Sequence, residues 1–261
     1  MDVAFIRVSI FVTVLVCCAL AEYWKPKRPL RQLKSYRWMN NLGLTGLNSV
    51  LVYITMPLLA VEAALWAQSL QIGLFNELPI SFPIEVILSV LILDFAIYWQ
   101  HRLFHTAPIC WSLHKVHHAD QDIDVTTGAR FHPIEIWISM WIKICIVISF
   151  GIPPIAVIVF EIVLNASAMF NHSNIHIPKK WDMRLRKCIV TPDMHRIHHS
   201  TIRSEADSNF GFFLSIWDHI FDTHIARPKL GHLGMNIGIS QFRSRKEQRL
   251  DKMLTQPFRN K

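Results

Sequence analysis

Five long apolar runs constrain this chain more than any other feature: 3–21, interrupted only by Arg7; 42–70, broken by Pro57; 84–105; 134–150; and 155–170. A bilayer core about 30 Å thick is crossed by roughly 20 apolar helical residues, fewer where polar ends snorkel. A soluble chain of 261 residues can bury as many apolar side chains, but it disperses them. Only 18% of this chain is charged, where soluble domains carry about a quarter. Nine Trp, sixteen Phe, few Gly and no heptad register exclude disorder, collagen and coiled coil. The five cysteines are odd in number, lie mostly in apolar context and form no C-x2-C, which reads as reduced packing thiols. The expected fold is an all-α integral membrane bundle of four to five transmembrane or re-entrant helices. A cytoplasmic helical cap over 171–261 completes a single membrane-embedded domain spanning 1–261.

Charge orders these runs across the membrane. Of 27 basic residues, 25 fall after the first run, in 100–133, or beyond Asn171; the exceptions are Arg7 and Lys143. Positive loops stay cytoplasmic. Ala19-Leu20-Ala21 resembles a signal-peptidase site, but cleavage there would strand the loop bearing Lys25, Lys27, Arg28, Arg31, Lys34 and Arg37 outside, so the first run is expected to be an anchor. The loop 71–83 has no Lys or Arg and is expected to face the exterior. Gly151-Ile152-Pro153-Pro154 reads as a tight turn between the last two runs. Lys143, mid-run, leaves open whether that hairpin spans fully or is re-entrant. Lys179, Lys180, Arg184, Arg186 and Lys187 around Trp181, Leu185 and Ile189 suit an anionic leaflet or a solvated helix face. No recognition motif accompanies the basic charge, so no nucleic-acid partner is expected.

Fourteen histidines are present, and ten stand in four groups. His101 and His105 form H-x3-H at the inner end of the third run; His114, His117 and His118 form H-x2-H-H. His172 and His176 form a second H-x3-H at the inner end of the fifth run, and His195, His198 and His199 a second H-x2-H-H. All four groups fall at the cytoplasmic side and can converge. Residues three or four apart share a helix face, with Cβ atoms about 5–6 Å apart, so two imidazoles can turn onto one metal. The adjacent histidines of H-x2-H-H point about 100° apart, so one can serve one metal and its neighbour a second. A random chain with this histidine content would show H-x2-H-H about 0.04 times, so two copies are specific. Thr191, Pro192 and Asp193 read as a helix start ahead of His195, and Ser112 as a weaker one ahead of His114. His219, His224 and His232 stand alone and are expected to be ordinary packing or surface residues.

Imidazole does not name the metal. A histidine cluster beneath membrane helices meets lipid, which offers mostly C–H bonds. Attack on an unactivated C–H bond needs a redox metal and oxygen, which favours iron over zinc.

The order H-x3-H, H-x2-H-H, H-x2-H-H around apolar runs resembles the fatty acid hydroxylase superfamily, also called the sterol desaturase family. Asp94-Phe95-Ala96-Ile97-Tyr98-Trp99-Gln100-His101-Arg102, Arg130-Phe131-His132-Pro133-Ile134-Glu135, Thr191-Pro192-Asp193-Met194, Asn209-Phe210-Gly211 and Trp217-Asp218 carry the likeness, which covers about 42–223. It implies an integral membrane enzyme with two non-haem Fe ions that uses O2 and external electrons to hydroxylate or desaturate a fatty acyl, sterol or related lipid. The implied metal ligands are His101, His105, His114, His117, His118, His172, His195, His198 and His199, with His176 either a ligand or a support for one. His132 is expected behind the ligands. So is Asp94, which shares a helix stripe with Tyr98, His101 and His105 and, as a carboxylate in a membrane helix, needs a partner; Glu135 is a weaker candidate for that place.

With no dinucleotide glycine fingerprint and no haem or iron–sulfur motif, electrons are expected from a separate carrier, cytochrome-b5-like, ferredoxin or reductase. The active site would face the cytoplasm, from the inner membrane if bacterial and the endoplasmic reticulum if eukaryotic. Two other classes compete. A membrane haem protein would set its histidines deeper and has no use for H-x2-H-H. A histidine-lined metal transporter would place them near the bilayer midplane.

Overall fold

In a computed structural model, which describes residues 3–259, the chain is helical, with only isolated bridges and no strand among the described residues. Its elements are α1 (Val3–Trp24), α2 (Lys34–Thr55), α3 (Ala60–Ser69), α4 (Leu74–Glu77), α5 (Phe82–Thr106), α6 (Pro108–His118), α7 (Pro133–Phe150), α8 (Pro154–His172), α9 (Lys179–Leu185), α10 (Pro192–His198), α11 (Arg203–Ala206) and α12 (Ile216–Ile220), followed by short turns of helix to Phe258. Five stretches are long and apolar enough to cross a membrane: α1, 34–77, α5, α7 and α8. The chain is thus an all-helical integral membrane protein.

Local chemistry sets the ends. Pro57 has no N–H to give and restricts the residue before it, so α2 stops at Thr55 with extended Met56 as its cap. α7 stops at Gly151, which takes a left-handed φ of 67°, and α8 restarts at Pro154. Gly151 is also a crossing point: a Cβ on Gly73, itself at φ 109°, would lie 2.1 Å from the Gly151 nitrogen. Small residues do the same for α3. Ala60, Ala63, Ala64 and Ala67 are buried along one side, where α3 packs on α7 and α8. Leu93, Ile144, Val147, Val157 and Phe160 fill the core between the spans. Along α1, Phe5, Val8, Val12, Val16 and Leu20 are exposed at helical spacing, the face a lipid would cover.

Lys143 has its explanation in α8. Its Nζ lies 2.7 Å from Glu161 Oε1, and Arg7 NH2 is 2.6 Å from Oε2, so the charges of three spans meet in one group. With 18 and 19 residues, α7 and α8 are each about 27–29 Å long at 1.5 Å per residue, enough to cross the hydrocarbon.

The cap is tied to the spans by buried polar groups. Arg37, on α2, donates to Asp120 Oδ1 at 2.9 Å and Oδ2 at 2.7 Å and also reaches Asp124, fixing the 119–127 loop beneath the bundle. Burial opposes charge on Asp120, but Arg37 outweighs it and holds the carboxyl at about 2. The link after α1 joins the segment after α8, with Lys27 N donating to Asn174 O at 2.8 Å and His176 N to Lys25 O at 2.8 Å. All five cysteines are free, as their context suggested.

Candidate metal centre

Three helix ends and one short helix bring nine of the ten expected histidines together. α5 supplies His101 and His105, α6 supplies His114, His117 and His118, α8 ends on His172, and α10 carries His195 and His198 with His199 at its end. α10 starts where the sequence placed a start: Thr191 is extended and its side chain accepts from Met194 N, with Pro192 in the first turn. α6 does not start at Ser112. It begins at Pro108, and the Ser112 hydroxyl lies inside it, donating to Ile109 O at 2.6 Å.

The nine imidazoles sort into two buried groups: His101, His105, His114, His118 and His198 in one, His117, His172, His195 and His199 in the other, with the ligand atoms of each group within 4.8 Å of one another. Adjacent histidines divide between the groups. The rings of His117 and His118 are 5.3 Å apart at 86°, and those of His198 and His199 are 5.5 Å apart at 85°, so each pair turns one ring to each group.

The outer ring nitrogens identify the tautomers. His101 Nδ1 lies 2.8 Å from Phe210 O, His117 Nδ1 3.2 Å from Arg130 O, His172 Nδ1 2.7 Å from Ala168 O and His198 Nδ1 2.8 Å from Ser208 O. A carbonyl only accepts, so each of these nitrogens carries a proton and leaves Nε2 as a lone pair. His114 Nδ1 points 2.6 Å to Glu135 Oε1, and His105 Nδ1 3.3 Å to Asp207 Oδ1. Inside the groups the lone pairs confront one another: His117 Nε2 and His172 Nε2 are 3.1 Å apart, and both are acceptors. His105 and His118 also bring their Nε2 atoms to 3.1 Å. The inner nitrogens of His101, His114, His198 and His199 are buried without any partner. Acceptors packed against acceptors in a dry interior repel unless a cation sits among them. Burial, reinforced by the neighbouring imidazoles, holds His117, His118, His195 and His199 well below the usual imidazole range and pushes His198 down to about 3, so they stay neutral and free to bind metal. Each group is therefore fitted to one transition-metal ion.

Three expected residues lie elsewhere. His176 is exposed: α8 ends at His172, the backbone is extended from Ser173, and the helical spacing that would align the two rings is lost. Asp94 has no histidine among its hydrogen-bond partners. Its Oδ2 accepts from Trp217 Nε1 at 2.8 Å and Leu214 N at 3.2 Å, because the 208–223 segment folds back against α5 at that level. His132 caps α7, accepting from Ile134 N at 3.2 Å, and its Nε2 lies 3.2 Å from Leu254 O. The carboxylates that hold rings are Glu135, in the first turn of α7, behind His114, and Asp207, which the sequence reading did not single out, behind His105. The place of Glu135 after His132-Pro133 was its only signal, whereas the carbonyls behind His101, His117, His172 and His198 leave none in the sequence. His219 and His224 pair with each other, rings 4.4 Å apart, outside both groups.

Above the first group, a cavity of about 310 Å3 opens among α1, α2, α5, α7 and α8. Its wall is chiefly apolar, including Phe11, Val52, Ile97, Phe104, Met140 and Leu164, and it ends on His101 and His114. The arrangement can present an apolar chain to a metal centre while keeping bulk water away.

The chain is 30% identical over 245 residues to alkylglycerol monooxygenase of Xenopus tropicalis, covering 90% of this chain and 50% of that protein. It is 33% identical over 176 residues to the human alkylglycerol monooxygenase, covering 67% and 38%. To ornithine lipid hydroxylase OlsE of Rhizobium tropici it is 27% identical over 179 residues, covering 67% and 49%. The chain thus spans half or less of the length of these curated relatives. No solved structure matches it. The fatty acid hydroxylase family model matches residues 86–223, more than half of the sequence and all of the histidine groups, and the chain belongs to that family.

Proposed function

We propose that this protein is an O2-dependent, non-haem di-iron lipid hydroxylase, with desaturation as the variant outcome of the same hydrogen abstraction. The observation that carries this reading is the pair of adjacent imidazole groups at the end of an apolar cavity among membrane spans. The first iron would be held by His101, His105, His114, His118 and His198, the second by His117, His172, His195 and His199. Bound there, the two ions would supply the redox chemistry that lets O2, two electrons and two protons convert a C–H bond into C–OH and water.

The protein's own residues supply the rest. Backbone oxygens of Phe210, Arg130, Ala168 and Ser208, with the Glu135 carboxylate, fix ring tautomers and orientations. The cavity holds a chain against the first group and excludes water from it. Relatives named for alkylglycerols and ornithine lipids support a fatty acyl or alkyl lipid as substrate. We also propose that the whole chain acts as one membrane-embedded domain, that the centre faces the cytoplasm, where the basic loops lie, and that a separate carrier delivers the electrons. Donor-rich, closed imidazole groups at the helix ends favour catalysis over haem binding or transport.

The test is turnover. Protein purified in lipid nanodiscs, loaded with ferrous iron and given a reductant, 18O2 and a lipid extract should yield lipids heavier by one 18O atom, or lighter by two hydrogens. Iron bound at two per chain with no lipid altered would overturn the proposal.

A further inference from the structure

The cavity that ends on His101 and His114 is apolar but not uniformly so, and three of its lining oxygens have no partner. Asn48 Oδ1, Gln100 Oε1 and Glu135 Oε2 are buried and have no hydrogen-bond partner, and all three residues line this cavity. Several lining donors already have acceptors. Asn48 Nδ2 donates to Phe131 O at 2.8 Å, which fixes its orientation and leaves Oδ1 as the free atom. Gln100 Nε2 donates to Ser139 Oγ at 2.7 Å, and Thr45 Oγ1 to Ala129 O at 2.8 Å. Glu135 spends Oε1 on His114. What remains is a set of acceptors with nothing to accept, in a place where an unmet polar atom costs stability.

Their position ties them to the site. Gln100 is the neighbour of His101 on α5, Glu135 touches His114, and Asn48 is held by Phe131, whose ring stacks on His117 at 4.4 Å and 9°. A purely hydrocarbon chain would leave all three acceptors unmet. A lipid with a hydroxyl or an amide N–H close to the reacting carbon would satisfy them and register that carbon over the metal.

We propose that the substrate carries a hydrogen-bond donor, a hydroxyl or amide N–H, near the oxidised C–H bond, and that Asn48, Gln100 and Glu135 are the positioning residues that receive it. The inference rests on the lipid-hydroxylase reading of the same site and narrows its substrate.

Binding separates the two. In the zinc-loaded full chain, which needs no turnover, the dissociation constants of hexadecanol, palmitamide and methyl palmitate are compared by competition with a fluorescent fatty amide. Hexadecanol or palmitamide should bind about tenfold tighter than methyl palmitate, which has no donor, and the stronger of the two identifies the donor as hydroxyl or amide. Asn48→Leu and Gln100→Leu, each checked for unchanged zinc content, should each reduce that preference at least about threefold. In the iron-loaded enzyme the same substitutions should raise KM for the donor-bearing lipid and scatter the position of oxygen insertion, an effect a merely structural role would not give. Equal binding of all three lipids, or a preference that survives both substitutions, overturns the inference while leaving the hydroxylase reading intact. A clear preference in an iron-loaded protein that oxidises no lipid would do the reverse.

Discussion

Glu135 Oε1 stands 2.6 Å from His114 Nδ1, joining the first turn of α7 to the middle of α6 across the mouth of the metal centre. A carboxylate behind an imidazole fixes the ring and raises its basicity, and losing such a group costs about 10–100-fold in metal affinity. Glu135→Gln should therefore weaken metal retention about tenfold and Glu135→Leu more. Asp94→Leu, which removes the acceptor of Trp217 and Leu214 instead, should leave metal content unchanged and cost about 1–3 kcal/mol of stability. Chelator competition and thermal unfolding distinguish these outcomes; equal metal loss in both variants would refute the assignment.

His172 and His176 should separate cleanly. His172→Ala removes a ring whose Nε2 is 3.1 Å from His117 and 3.0 Å from His195, so metal stoichiometry should fall from two to about one per chain. His176→Ala should bind metal as the parent does, because that side chain is exposed and outside both groups. Metal analysis of the purified variants checks both.

Gly128 packs closely against the second group. A Cβ there would lie 2.4 Å from Ala168 O, the carbonyl that receives the His172 Nδ1 proton, and 3.2 Å from that nitrogen itself. Gly128→Ala must move α8 or the His172 ring, and the second metal should be lost in preference to the first. Unchanged stoichiometry and unchanged activity would show that the backbone yields without cost.

Acid should release the metals and weaken the metal-free fold. A histidine at 6.5 when unfolded and about 3 when folded, as at His198, lets the unfolded chain bind the proton first. Stability from this neutral imidazole is complete above pH 6.5 and falls as pH drops toward 3, by up to about 1.4 kcal/mol per pH unit per such residue. His117, His118, His195 and His199 are shifted in the same direction and add to the slope. The unfolding temperature of the metal-free protein should fall steeply between pH 7 and 5; a flat profile would contradict this.

Glu161 holds Lys143 and Arg7 at once. Glu161→Leu would leave two cations in the spans without a counter-charge and should cost about 3–5 kcal/mol, whereas Lys143→Met with Glu161 kept leaves the Arg7 pair and should cost less. Unfolding in a fixed detergent measures both.

Some of the site was legible because spacing alone imposes it. His101 and His105 must share a face of α5, and neighbours such as His198 and His199 must diverge, so one group became two without tertiary information. Asp94 shows where that reasoning stops. The stripe it shares with Tyr98 and His101 is real, but the 208–223 segment occupies the groove beside it, and Trp217 takes the carboxylate. His176 shows the same limit in one dimension: H-x3-H has meaning only on a helix, and α8 ends at His172, the first residue of the pattern.

Apolar runs, basic loops and histidine spacing are local or additive properties, so the sequence by itself determined a helical membrane protein with a polynuclear imidazole site at one side. Which histidines meet which depends on helices nearly a hundred residues apart in the chain crossing within a few ångströms, as His101 on α5 and His198 on α10 do with ring centroids 4.5 Å apart. The tertiary structure alone decided that partition, the choice of Glu135 over Asp94 behind a ring, and the acceptor-lined cavity, because each is fixed by packing between distant segments rather than by the preference of any one of them.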